Sequence, residues 1–154
     1  MSQEYSNPKR ERVESPAHLQ KPAYQLIASL LQAVENCKKS GNGEWEAKHT
    51  ERISELVSEF MPSGSGWDEG TKLDWDKSTP ERLVFFGSFH HMDDNGSYDG
   101  WTDHTITVKP SLASGFDLAV SGRNRNDIKD YLAELFHGCL SEKVTHHYTE
   151  NEAK

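Results

Sequence analysis

Residues 81–109, ERLVFFGSFHHMDDNGSYDGWTDHTITVK, decide the fold, because two arms of period two flank a polar, glycine-containing centre. In the first arm Leu83, Phe85 and Phe89 share one face, while Val84 and Phe86 share the other. His104, Ile106 and Val108 align in the second arm, and Pro110 ends it. The pattern predicts two antiparallel strands with one buried face. A slip of one residue would turn every side chain to the wrong side. Pairing Phe85 with Val108, Gly87 with Ile106 and Phe89 with His104 keeps the apolar sets together, whereas the opposite parity sets Phe85 against Thr107. The first register is therefore expected. Residues 92–100 then form a nine-residue loop, with Asn95-Gly96 and Asp99-Gly100 supplying its turn chemistry.

The same period extends to both sides. TKLDWD (71–76) alternates through Leu73 and Trp75, and FDLAVS (116–121) aligns Phe116, Leu118 and Val120. Four strands with short connections predict an antiparallel meander. Further upstream the period is 3.6. Tyr24, Ile27, Leu31 and Val34 form one helical stripe after Pro22, with Leu26, Leu30, Ala33 and Cys37 beside it. SGNG (40–43) stops that helix, and a second, over about 44–61, gathers Ile53, Leu56, Val57 and Phe60 on one face. PSGSGWDEG (62–70) reads as a flexible joint, which leaves the setting of Trp67 open. A last helix is expected over about 125–140, capped by Asn124 or Asn126, with Ile128, Tyr131, Leu132, Leu135 and Cys139 as its stripe. The predicted fold is α+β, a four-stranded antiparallel meander with helices packed on one face, in the order ααββββα. It forms one domain over 22–141, and the apolar-poor tails 1–21 and 142–154 are expected to be disordered.

Charge is unevenly distributed. The net of −8 divides as +1 in residues 1–21, −8 in 22–141 and −1 in 142–154. Residues 68–103 carry nine acids against three bases, a field that repels phosphate and suits a cation or a basic protein surface. No apolar run is long enough for a membrane span, and the first twenty residues lack the apolar core of a secretory signal. Cys37 and Cys139 fit neither a disulfide scaffold nor a zinc knuckle. A cytoplasmic protein with no membrane contact and no cofactor is expected.

Residues 89–104, FHHMDDNGSYDGWTDH, concentrate three histidines and four aspartates. A calcium loop started at Asn95 places Ser97, Asp99 and Gly100 usefully, but its twelfth residue is Ile106 where a glutamate is needed. His90, His91, His104, Asp99 and Asp103 make an alternative metal-ligand set, provided the hairpin brings them to one point. The hydrolase and metalloprotease motifs are absent from the sequence, so no catalytic residue is assigned. Long loops with exposed Tyr and Trp are common binding elements. Asp93, Asp94, Tyr98, Asp99, Trp101 and Asp103 are accordingly expected to contact a protein partner with a basic surface. In GRNRND (122–127), Arg123 and Arg125 precede a helix and, with Lys129, form an alternative anion or nucleic-acid site.

Through YDGWTDH, PSL, GF and NRNDIKDYL, residues of about 66–140 resemble an uncharacterised domain family of phages, plasmids and other bacterial mobile elements. The resemblance implies no activity or cofactor. It implies a context in which small acidic proteins bind host proteins, including defence systems.

Overall fold

Pro22, with φ −58° and ψ 146°, closes the short strand β1 (Gln20–Pro22) and leads directly into α1 (Ala23–Ser40). The structure is a computed structural model that describes residues 20–64, 66–92, 95–111, 115–122 and 126–145, except for the side chains of residues 68, 69, 91, 99 and 126. Gly41 ends α1 in the left-handed region at φ 74°, where a side chain would be strained. One residue later Asn42 caps α2 (Gly43–Phe60), its side chain accepting from the Trp45 amide at 3.3 Å. Two residues thus suffice to reverse the chain into the expected helical hairpin.

The sheet follows as β2 (Trp67–Leu73), β3 (Leu83–Met92), β4 (Tyr98–Pro110) and β5 (Phe116–Gly122), paired antiparallel in that order. α3 (Asn126–Ser141) returns across it, and β6 (Lys143–Thr145) pairs with β1. This is the expected α+β meander. Leu83 and Phe85 of β3, and Ile106 and Val108 of β4, are buried with Leu26, Ile27 and Leu30 of α1, Ile53 and Leu56 of α2, and Leu132 and Phe136 of α3. The described residues of the other face of β3 and β4 are mostly exposed or half-buried. One exception is Val84, which the turn between β2 and β3 covers: Ser78 accepts from the Val84 amide at 2.9 Å, and the Asp74 amide donates to its carbonyl at 2.8 Å.

Four details depart from the sequence reading. Phe85 pairs with Ile106, not Val108, and Gly87 and Phe89 face His104 and Thr102. Face parity holds, but the register is tighter by two residues and only five residues separate β3 from β4. The expected register would have set Leu83 against Pro110. The observed one pairs Leu83 with Val108 and opposes the imidazole of His104 to a glycine. Trp67 opens β2 instead of lying in a joint, and Trp75 lies beyond the end of that strand. In α3 the buried line is Ile128, Leu132, Phe136 and Leu140, whereas Tyr131 is exposed and Leu135 half-buried. The expected tails 1–21 and 142–154 lie mostly outside the described residues. Their inner ends do not, since β1 and β6 join them and Val144 packs into the core.

Cys37 and Cys139 are not joined by a disulfide. No helix among the described residues is long and apolar enough to cross a membrane.

Candidate functional site

The β3–β4 hairpin has two chemically different faces, and the observed register assigns each residue to one of them. On the core face His104 lies opposite Gly87 on one side and Gly122 of β5 on the other. A Cβ at Gly87 would sit 3.4 Å from His104 Nε2 and 3.3 Å from the Gly70 carbonyl oxygen, so glycine is what lets the ring lie flat against β3. Trp67 meets the imidazole edge-on at 5.2 Å between ring centroids, and Phe136 covers it from α3 at 6.1 Å. His104 is 2% exposed, and neither ring nitrogen has a hydrogen-bond partner among the described residues. Burial lowers its pKa from the ordinary histidine value, against weaker raising effects of the Thr102 backbone and the Asp103 carboxylate.

On the open face the pairs run in rows. Phe86 opposes Thr105, Ser88 opposes Asp103 and His90 opposes Trp101. The Ser88 hydroxyl donates to Oδ1 of Asp103. Between His90 and Met92 the register shifts, so that Asp99 and Gly100 together oppose His91. Gly100 takes φ 98° in this bulge, which brings Tyr98 round to His90. The Tyr98 hydroxyl lies 2.9 Å from His90 Nδ1, and the rings of Tyr98 and Trp101 stand 5.7 and 6.2 Å from the imidazole. Trp101 is 60% exposed, Met92 59%, Tyr98 54% and Phe86 41%. A shallow basin of about 870 Å³ lies over this face, lined by Phe86, Ser88, Trp101, Asp103, Thr105 and Lys72 among others. A second hollow of about 500 Å³ adjoins it at the β2 edge, between Phe86, Trp75 and the α2 serines Ser54 and Ser58.

Of the residues expected to contact a partner, Tyr98, Trp101 and Asp103 are exposed on the hairpin. Asp93 and Asp94 lie outside the described residues, and Asp99 is placed in β4 by its backbone alone. The expected metal set does not assemble from its described members: Asp103 and His90 belong to the open face and His104 to the core. The side chain of His91, like that of Asp99, is outside the described residues, and no group of three potential ligands occurs among those described. For the anion site, Arg123 and Arg125 are likewise outside the described residues, and Lys129 is half-buried in α3. Phe86, Ser88 and Met92 join the open face although the sequence did not mark them as contact residues. Ser88 becomes a partner of Asp103 only once the tighter register is known.

The open face therefore combines aromatic surface, an oriented carboxylate and a shallow basin, a composition suited to recognition. Comparison with protein-family models, curated proteins and solved structures gives no significant match to this chain.

Proposed function

We propose that this chain is a non-catalytic recognition protein whose open β3–β4 face and hairpin tip bind a protein partner with a basic surface. The observation that carries the reading is the exposure of Phe86, Met92, Tyr98 and Trp101, each 41–60% accessible, on one well-paired hairpin. Scattered exposed apolar residues need no explanation, but four large ones on one hairpin mark an interaction surface. Aromatic anchors supply most of the energy in such interfaces, and the acidic segment 68–103 supplies attraction to positive charge. The resemblance of residues 66–140 to a mobile-element family supports a host protein as the partner, including a nucleic-acid-binding or defence protein that the acidic face would block.

Affinity capture from bacterial lysate tests the reading. Wild type should retain one or more basic proteins that are released by salt. The double variant Tyr98→Ala/Trp101→Ala should lose them by tenfold or more, as should the charge-reversed Asp93→Lys/Asp94→Lys/Asp99→Lys chain. Identical retained proteins for wild type and both variants would overturn it.

A further inference from the structure

Resting on that reading, we infer that Asp103 is the receiving group for a guanidinium or ammonium side chain of the partner, held against the ring of Trp101. The geometry sets up this chemistry in three steps. Asp103 stands in the middle row of the open face, with the Phe86–Thr105 row on one side and the His90–Trp101 row on the other. Rows on one face of a strand are about 7 Å apart, so an aromatic ring stands one row away in each direction. A long basic side chain can lay its methylenes along the Trp101 ring while its charged head reaches the carboxylate.

The carboxylate is also oriented. The Ser88 hydroxyl donates to Oδ1, and the carboxylate is exposed. Both residues line the same basin of about 870 Å³, which opens to solvent. An exposed Trp101 ring beside an exposed carboxylate gives a cation two attractions at once, one to the charge and one to the ring. Lys72 of β2 pairs with Phe86 and lines the same basin, so a cation is favoured at the Trp101 end. A second copy of this chain fits poorly, since each carries a net charge of −8. Nucleic acid is disfavoured by the same charge, because its phosphates would meet Asp103 first.

Titration of the full-length protein with acetylated hexa-arginine, followed by calorimetry, tests the inference. Wild type should bind saturably at low ionic strength. Asp103→Asn, which keeps the shape and removes the charge, should weaken binding about tenfold or more. Trp101→Ala should weaken it several-fold. Glu51→Gln, an exposed carboxylate on α2, should leave it within about twofold. Hexa-citrulline, of similar shape but uncharged, should fail to bind. If Tyr98→Ala/Trp101→Ala abolishes binding and Asp103→Asn does not, the inference falls while the proposed hairpin surface stands. Equal affinity for all variants, or no saturable binding by wild type, overturns the inference, and the capture experiment then judges the surface separately.

Discussion

Replacing Phe136 by alanine is expected to destabilise the fold by about 3–5 kcal/mol, a large share of the roughly 5–15 kcal/mol that a domain of this size commands. Phe136 is fully buried and sits where three elements meet, with its ring near Phe85 of β3, Trp67 of β2 and His104 of β4. The sheet brings these residues together on one face, and α3 inserts a ring that lies near all of them. Truncation leaves a cavity that cannot collapse, because Trp67 and Phe85 are held in strands and His104 is flanked by glycines on both neighbours. Urea denaturation followed by circular dichroism measures the loss. Tyr131→Ala, at a position 47% exposed, should cost much less, about 1 kcal/mol or below. A Phe136→Ala midpoint within experimental error of wild type would refute the packing described for α3.

Acid should destabilise the protein through His104. Burial holds its pKa in the folded state below the 6.5 of a free imidazole. Below about pH 6.5 the unfolded chain therefore takes up a proton that the folded chain refuses, and stability falls as pH falls. The loss continues until the folded-state pKa is reached, with a slope of at most about 1.4 kcal/mol per pH unit for one proton. Above pH 6.5 the imidazole is neutral in both states and contributes no slope. The direction comes from the site: two aromatic rings and two glycines surround the imidazole, and the loss of water outweighs what the Thr102 backbone and the Asp103 carboxylate return to an imidazolium. His104→Leu should remove this slope and gain stability relative to wild type at pH 5. Melting curves at pH 5 and pH 7.5 for the two proteins decide the matter, and parallel pH profiles would show that His104 is not the group responsible.

Much of the architecture is legible from periodicity, because burial on one side of a helix or strand imposes a pattern that local sequence must carry. The parity of Leu83, Phe85 and Phe89 against Ile106 and Val108 comes directly from that rule. Their register does not, since a shift of two residues preserves both faces. What selects it is spatial: His104 needs a glycine opposite, and Leu83 needs Val108 and not Pro110. In α3 the two lines through Leu135 and Phe136 are both apolar, and only the positions of Phe85 and Trp67 favour the second. Val144 was hidden for another reason. A three-residue strand among charged residues has no periodicity to read, and its partner β1 lies more than 120 residues away in the chain. The binding face was half visible. Tyr98, Trp101 and Asp103 stand out by type, whereas Ser88 and Phe86 gain their roles from cross-strand neighbours. Of the expected metal ligands, His90 and His104 lie on opposite faces, a separation that strand alternation already implies in the sequence.

On the proposed function, the open face of the β3–β4 hairpin receives positive charge from a partner. Backbone amide shifts of the isotope-labelled protein, recorded as hexa-arginine is added, test it most directly. The perturbed amides should cluster at Ser88, His90, Trp101, Asp103 and Thr105, and Asp103→Asn should suppress the shifts. Shifts confined to the exposed acidic helix positions Glu44, Glu51 and Glu55, with the hairpin amides unmoved, would contradict it.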